Sequence, residues 1–191
     1  NSGNENRTIH IGLDFWLPAK TPVHAIIDGE VVIAINDEGE KEYGGLVVLK
    51  HKMKDFEFFT LYGHNSVKSA TNHSIGDKIK KGDKISELGN YPENGNWPPH
   101  LHFQVILSMM DFKIDFPGVM YYNQIEIWKE ICPDPNLLFK SKSIKSKKRI
   151  TNHEIIDYRK RHLGKSLKLH YNEPIRIVRG AGQYLMDNNG R

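Results

Sequence analysis

The sequence has one cysteine, no long apolar run and no recognisable export signal. Because Cys132 is the only cysteine, a disulfide within the chain is excluded, which fits a reducing compartment. No apolar run approaches the roughly 18 residues that a membrane-spanning helix requires, so we predict no membrane partner. The first residues, "NSGNENRT", are polar and include neither the apolar core of a secretion signal nor an initiator Met. We therefore expect a cytoplasmic segment of a longer protein.

Positive charge is concentrated in one short segment. The chain of 191 residues has a formal net charge of +4. Residues 1–139 hold 13 Lys and Arg against 19 Asp and Glu, whereas residues 140–168 hold 11 against 2. The basic run "KSKSIKSKKR" (140–149) contains no aromatic residue of the kind that stacks on nucleotide bases. This composition favours a solvated linker, and we predict no nucleic-acid partner.

Between Ile9 and Val105 the chain alternates short runs rich in Val and Ile with turn signals. Asp28-Gly29 separates two such runs in "VHAIIDGEVVIAI", a pattern typical of a β-hairpin. Further strands are predicted for "GGLVVLKH", "FEFFTLYGH" and "HLHFQVIL". Several short strands separated by turns predict a mainly β fold, with an antiparallel sheet arranged as a sandwich or a barrel-like structure.

A short helical extension is predicted to follow the β region. "QIEIWKEI" can form a helix that ends before Pro133 and Pro135, because proline removes a helical hydrogen bond. We place a β domain at residues 1–139, a basic linker with a short helix at 140–168, and a fragment of a further domain at 169–191.

Five polar residues in three motifs carry the chemistry that we predict. "HIGLD" contains His10 and Asp14, "LYGH" ends in His64, and "HLH" contains His100 and His102. Alternate residues of a strand share a face, so the two histidines of "HLH" point the same way, as do the His and Asp of "HIGLD" if that segment is extended. Two imidazoles and one carboxylate suit zinc, and three protein ligands leave a fourth position open for water. The set therefore indicates a catalytic rather than a structural zinc.

Each motif by itself has an ordinary explanation. A His-X-His pair on a strand is more often a pair of polar side chains, His10 and Asp14 can form a hydrogen-bonded pair, and "YGH" can be a turn. The joint occurrence in one β domain favours a metal site, with Gly12 leaving space between two ligands. Trp97, in "GNWPP", either lines the cleft or packs in the core. His51 lies outside the motifs and is predicted to be a structural histidine at a strand end.

The order His-X-X-X-Asp, Tyr-X-His and His-X-His resembles that of the lysostaphin-type, or LytM-like, zinc metallopeptidases. "HIGLDFWLPAKTPVHAIIDGEVV", "YGGLVVLKH", "FFTLYGH" and "IGDKIKKGDKISELGN" are also similar to this family, over roughly residues 8–107. The resemblance implies the family's β fold and a Zn2+-dependent endopeptidase that hydrolyses peptide or amide bonds of peptidoglycan or Gly-rich peptides. It implies these residue roles: the zinc ligands His10, Asp14 and His102, and the catalytic residues His64 and His100.

The last residues, "EPIRIVRGAGQYLMDNNGR" (173–191), resemble the start of class III pyridoxal-phosphate aminotransferases. This second resemblance implies a covalently linked aminotransferase-like domain outside the chain. The cofactor lysine would also lie outside it, so we expect no pyridoxal phosphate here. An alternative function follows, a non-catalytic or regulatory peptidase-like module within a cytoplasmic multidomain aminotransferase.

A third function, a biotinyl or lipoyl carrier, has some support because "AIIDGEVV" and "IGDKIKKGDKISELG" are similar to the halves of that barrel. A carrier needs a modifiable lysine exposed at a hairpin tip between the halves. The stretch between them contains "HKMKDF", without a Met-Lys-Met or Asp-Lys-Ala motif, and a carrier gives no role to His100 and His102. The sequence therefore favours the hydrolase.

Overall fold

A computed structural model describes residues 9–141, 153, 156–158, 161, 177–181 and 184–187. The chain divides into two compact units, Asn1–Lys140 and Ser141–Arg191. Among the described residues, no helix combines the length and the apolar character needed to cross a membrane. Most of the predicted linker and of the aminotransferase-like segment lies outside the described residues, so these two assignments stay predictions.

Most of the regular secondary structure in the described part of the chain is β-strand. Its strands, numbered in chain order, are β1 (Ile9–His10), β2 (Leu13–Phe15), β3 (Pro22–His24), β4 (Gly29–Asp37), β5 (Gly44–Met53), β6 (Phe56–Asn65), β7 (Lys78–Ile79), β8 (Lys84–Glu87), β9 (Leu101–Ile106), β10 (Val119–Met120), β11 (Ile177–Ala181) and β12 (Tyr184–Asp187). The first unit also contains the short helices α1 (Val67–Ala70), α2 (Ile125–Ile131) and α3 (Asn136–Phe139) and a 3-10 turn (Tyr122–Gln124). In the second unit, β11 and β12 form an antiparallel pair.

The first unit is built on a six-stranded antiparallel sheet with the strand order β2-β9-β6-β5-β4-β7. β1 pairs with β10, and β3 pairs with β8, in two smaller antiparallel sheets. The central strand β5 is buried on both faces, because Val47 and Leu49 enter one core while Leu46 and Val48 enter the other. A strand covered on both faces has a continuous apolar run in its sequence, as "LVVL" does.

Two hydrophobic cores therefore lie on opposite faces of the sheet. The first core includes Tyr62 and Phe103, and the second is completed by the segment after β9, which contributes Phe116, Met120 and Cys132. Phe116 is fully buried, and burial of such a side chain stabilises the fold by about 1.5–3 kcal/mol. Burial also raises the pKa of the Cys132 thiol to about 12, so this cysteine stays protonated and packs as a small apolar residue.

The prediction of a mainly antiparallel β fold with a short helical extension is confirmed. The helix predicted in "QIEIWKEI" is α2, which ends at Ile131, two residues before Pro133. The extension stays close to the sheet, because the main-chain N–H of Leu107 donates to Ile131 O at 2.8 Å.

The hairpin predicted at Asp28-Gly29 is wrong. β3 pairs with β8, whereas β4 pairs with β5 and β7, so the two runs do not pair with each other. The Asp28 carboxylate instead holds the turn between β7 and β8, where it accepts a hydrogen bond from Lys81 N at 2.7 Å and pairs with Lys80 Nζ at 3.1 Å. A dipeptide that is typical of hairpins thus serves here to bind a neighbouring turn.

Candidate metal centre and its cleft

The pairing of β2 with β9 brings two of the three candidate metal ligands together. Asp14 in β2 lies directly opposite His102 in β9, and opposite residues of antiparallel strands have Cβ atoms about 4.5–5.5 Å apart. His10 lies in β1, which pairs with β10 rather than with the six-stranded sheet. "HIGLD" is therefore not one continuous strand, yet His10 Nε2 and Asp14 Oδ1 are 3.0 Å apart.

Three atoms that can each donate an electron pair converge at one point. His10 Nε2 and His102 Nδ1 are 2.8 Å apart, and His102 Nδ1 lies 3.2 Å from Asp14 Oδ1. Asp14 Oδ1 is buried and accepts no hydrogen bond of good geometry. In a tetrahedral zinc site with bonds of about 2.0–2.1 Å, ligand atoms are about 3.4 Å apart, so the observed spacing is close to what zinc needs. The donor types and their spacing fit zinc.

The Asp14 carboxyl is held in its charged form. Burial raises its pKa, but interactions with His10 and His102 outweigh burial and hold the pKa well below its usual range. Burial lowers the pKa of His102, so at neutral pH its ring is uncharged. A carboxylate and a neutral imidazole are the forms that bind a metal ion.

Gly12 is required by the position of the His102 ring. A Cβ at Gly12 would lie 2.6 Å from both Cε1 and Nε2 of that ring and 2.8 Å from the carbonyl oxygen of Phe103. The space predicted between the two ligands of "HIGLD" is therefore present, and the ring of the third candidate ligand fills it.

His64 and His100 form the second part of the site. Their ring centroids are 4.4 Å apart, and His100 Nε2 lies 4.0 Å from Asp14 Oδ1. His64 Nδ1 donates to Asn94 O at 3.0 Å, and His100 Nδ1 donates to Pro98 O at 2.7 Å. Because a carbonyl oxygen only accepts, the neutral form of each ring keeps its unprotonated nitrogen at Nε2. Each neutral ring therefore has its lone pair at Nε2.

His64 reaches this side of the sheet through an unusual backbone conformation. Its φ of 63° is in the left-handed region, which costs about 1–3 kcal/mol for a residue other than glycine. Strict alternation along β6 would place it with Tyr62 on the face of the first core. Burial and, after it, the neighbouring His100 and His102 lower the pKa of His64 to about 3. The imidazole is thus uncharged at neutral pH.

The five residues line a cleft of about 830 Å³ with aromatic walls. Trp16, Trp97 and Trp128, which are all the tryptophans of the chain, line this cleft. Trp16 is 62% exposed, and its ring stacks on His100 with centroids 4.4 Å apart and an interplanar angle of 24°. Of the two interpretations of Trp97, cleft lining is the one that the structure shows. Part of the wall comes from residues 115–121 of the segment after β9.

The motifs did not identify two buried residues behind the candidate ligands, Gln104 and Tyr43. His102 Nε2 lies 2.7 Å from Gln104 Oε1, and the Tyr43 hydroxyl donates to the same oxygen at 3.0 Å. Strand alternation could have indicated Gln104, because it follows His102 by two residues on the same face of β9. No local signal points to Tyr43, which precedes β5 and reaches the site only through the fold.

Comparison with known proteins adds a family match. Residues 8–112 match the model of Peptidase family M23. One similar structure is the catalytic domain of the antimicrobial peptidase lysostaphin from Staphylococcus simulans, crystallised in the absence of phosphate. It is 25% identical, with 63% of this chain and 80% of that chain covered and a TM-score of 0.42.

Two further similar structures differ in how much of them the chain spans. The solution structure of lysostaphin is 28% identical, with 63% of this chain and 43% of that chain covered and a TM-score of 0.40. The structure of LytU is 23% identical, with 64% of this chain and 79% of that chain covered and a TM-score of 0.41. The chain thus spans less than half of the longer lysostaphin chain.

Proposed function

This chain belongs to peptidase family M23, and from that premise we propose that it is a zinc-dependent metalloendopeptidase acting on peptidoglycan-type or Gly-rich peptides. The observation that carries the proposal is the convergence of the donor atoms of His10, Asp14 and His102, which all lie within 4.8 Å of one another. These atoms face the same cleft as two histidines whose neutral rings have a free Nε2.

In this proposal His10, Asp14 and His102 bind the zinc ion and hold it at the cleft. When bound, the ion supplies a polarising centre that makes water more acidic and a substrate carbonyl more electrophilic. The negative charge of Asp14 offsets part of the charge of the cation, and the two neutral imidazoles supply nitrogen ligands. All three of these residues line the cleft, so a zinc ion that they held would be accessible from it.

His64 and His100 are proposed to move protons beside this centre. His100 Nε2, 4.0 Å from Asp14 Oδ1, is close enough to the ligands to accept a proton from water during attack on the peptide carbonyl. His64 Nε2 can share this task, and the protonated member of the pair can then stabilise the oxyanion or donate to the leaving amine. The main-chain carbonyls of Asn94 and Pro98 hold both rings in the required orientation.

One experiment tests the proposal directly. The full chain is purified, loaded with zinc and dialysed, after which zinc content and hydrolysis of Gly-rich peptides, D-amino-acid peptides and peptidoglycan are measured. We expect about one zinc per chain, as three ligands of one site imply, and hydrolysis of at least one of these substrates. A protein that binds no zinc contradicts the metal site. A protein that binds zinc and cleaves none of the substrates supports the alternative, a non-catalytic or regulatory module.

The proposal also includes a fused domain and a cellular location. The sequence of residues 173–191 supports a covalently linked aminotransferase-like domain, and the single cysteine supports a cytoplasmic location. Immunoprecipitation of the natural protein from separate cytoplasmic and extracellular fractions, with an antibody against residues 9–141 and followed by mass measurement, tests both the fusion and the location. A natural polypeptide that ends near Arg191 contradicts the fusion, and recovery from the cell exterior contradicts the location.

A further inference from the structure

Gln104 is fully buried, and both ends of its amide contact partners. Its Oε1 lies 2.7 Å from His102 Nε2 and accepts a hydrogen bond from the Tyr43 hydroxyl at 3.0 Å. Its Nε2 donates to the main-chain oxygen of Pro117 at 3.3 Å and lies 3.9 Å from Cys132 Sγ. One buried amide therefore connects a candidate metal ligand with the segment that follows β9.

The partners themselves decide which way this amide is turned. The carbonyl oxygen of Pro117 can only accept a hydrogen bond, so the amide nitrogen has to face it. The amide oxygen then faces His102, and this oxygen also only accepts. The hydrogen between them therefore belongs to His102 Nε2, and a neutral ring with a proton there has its lone pair at Nδ1.

His102 Nδ1 is the atom that points at the other two candidate ligands. It lies 2.8 Å from His10 Nε2 and 3.2 Å from Asp14 Oδ1. With the opposite tautomer, an N–H would occupy this position and a metal ion could not bind His102 there. The hydrogen bond at one nitrogen thus determines whether the other nitrogen can act as a ligand.

We propose that Gln104 is a positioning residue that holds His102 in the Nε2-protonated tautomer and makes this arrangement depend on the segment after β9. Its role in zinc affinity rests on the proposed function, whereas its control of the tautomer does not. Pro117 lies beyond residues 8–112, the part that matches the family model, so the orientation of the ligand is tied to a part of the chain outside that match.

The fold provides a matched control on the opposite face of the sheet. His51 is also fully buried, and its Nε2 lies 2.7 Å from the hydroxyl of Thr60. Thr60→Val removes this hydrogen bond and nearly preserves the shape of the side chain, just as Gln104→Met removes the partner of His102. Both variants remove one partner from a buried histidine, and only one of these histidines is a candidate ligand.

The test uses the full chain, uniformly labelled with nitrogen-15 and free of metal. Long-range proton–nitrogen correlation spectra report which ring nitrogen carries the proton, and the signals of His102 are assigned by their loss in His102→Asn. We expect the wild-type ring to be protonated at Nε2, Gln104→Met to show a mixture of tautomers, and Thr60→Val to leave His102 unchanged. A wild-type ring protonated at Nδ1, or an unchanged tautomer in Gln104→Met, overturns the proposal.

A second measurement, zinc affinity, is made on the same proteins by competition with a chelating dye. Gln104→Met should raise the zinc dissociation constant about 10–100-fold, and Thr60→Val should not change it. Unchanged affinity in Gln104→Met contradicts the role in metal binding. If the wild type binds no zinc, the proposed function fails, and the tautomer measurement still decides the role of Gln104.

Gln104→Glu separates the contact with His102 from the contact with Pro117. It also replaces Gln104→Met as the test variant if that protein does not fold. A carboxylate still accepts from His102 and Tyr43 but cannot donate to Pro117 O. We expect the Nε2-protonated tautomer to persist, while amide exchange becomes faster for Ile11 and Leu107, whose N–H groups donate to Gly118 O and Ile131 O. Unchanged exchange at both amides contradicts the connection to the segment after β9, and loss of the tautomer contradicts its control by an acceptor.

Discussion

Two buried histidines lie on opposite faces of the central sheet. Their hydrogen-bond partners differ, and this difference gives the two residues different roles. His51 is fully buried on the face of the first core, with Nδ1 2.8 Å from Asp28 O and Nε2 2.7 Å from Thr60 Oγ1. His102 is 3% exposed on the other face, with Nε2 at Gln104 Oε1 and Nδ1 facing His10 and Asp14.

The two rings are held in opposite tautomers. A carbonyl oxygen only accepts, so His51 donates from Nδ1 to Asp28, and its Nε2 accepts from the Thr60 hydroxyl. His102 donates from Nε2, and within the described part of the chain the nitrogen atom in hydrogen-bond contact with its Nδ1 is His10 Nε2. A histidine with both ring nitrogens in ordinary hydrogen bonds has a structural role. A histidine whose unprotonated nitrogen faces other candidate ligands is available to bind a metal ion.

Each of these rings also depends on a glycine. A Cβ at Gly29 would lie 2.8 Å from His51 Nδ1, and a Cβ at Gly12 would lie 2.6 Å from His102 Nε2. Close approach of backbone and imidazole is therefore common to both faces, and it does not by itself indicate a metal site.

The largest expected effect comes from removing each ring in turn. His102→Ala should abolish zinc binding and hydrolysis, because it removes one of the three proposed ligands. His51→Ala should lower the free energy of unfolding by about 1–3 kcal/mol through unsatisfied buried partners, with zinc content unchanged in the folded protein. Elemental analysis, hydrolysis assays and urea unfolding measure these effects. Loss of zinc from folded His51→Ala would contradict the purely structural role of His51.

Within the site, the proposal separates ligands from proton acceptors. His100→Ala should lower the rate of hydrolysis about 10²–10⁴-fold and keep the zinc content, because its Nε2 is 4.0 Å from Asp14 Oδ1 and does not belong to the converging ligand atoms. Zinc content and turnover measured on the same sample test this. Turnover equal to that of the wild type would exclude His100 from catalysis, and loss of zinc would make it a ligand.

The two glycines offer a smaller and more selective change. Gly12→Ala and Gly29→Ala should each lower the free energy of unfolding by about 1–3 kcal/mol, because the added methyl group overlaps a buried ring. Only Gly12→Ala should also weaken zinc binding, since the ring it displaces is that of His102. Urea unfolding of the metal-free proteins and zinc titration separate the two effects. Equal zinc affinity in both variants would contradict the prediction.

The last prediction is a pH dependence of the stability of the metal-free protein. Burial, as the largest cause, lowers the pKa of His51, His64 and His102 below the usual value of 6.5, and that of His64 falls to about 3. The unfolded chain then binds protons that the folded chain does not, so stability is complete above about pH 6.5 and is lost as the pH falls below it.

Urea unfolding between pH 7.5 and 4.5 measures this dependence. Each histidine that stays neutral in the fold contributes a slope of about 1.4 kcal/mol per pH unit below its unfolded pKa. His64→Gln should reduce the slope by about that amount, with Asp55→Asn at the exposed turn between β5 and β6 as a control for general charge effects. A slope that is identical in the wild type and His64→Gln would contradict the lowered pKa of His64.

The sequence predicted the fold class, and the five residues that it singled out all line one cleft in the structure. Alternation along "HLH" correctly placed His100 and His102 on one side, since both lie within 4.0 Å of Asp14 Oδ1. It could not predict that "HIGLD" is divided between two strands with different partners. The prediction of a hairpin at Asp28-Gly29 was wrong for a related reason. A turn dipeptide specifies a change of chain direction but does not specify which strands then pair.

What the sequence by itself determined is the set of residue types and their local order: three motifs with ligating side chains, strands with alternating faces, and prolines that end α2. What only the tertiary structure decided is which atoms meet. The left-handed backbone at His64, the position of Tyr43 and the contact of Pro117 with Gln104 depend on residues distant in sequence. The physical reason is that alternation acts over two residues, whereas the tautomer of His102 is determined by hydrogen-bond partners that only the packed fold brings within reach.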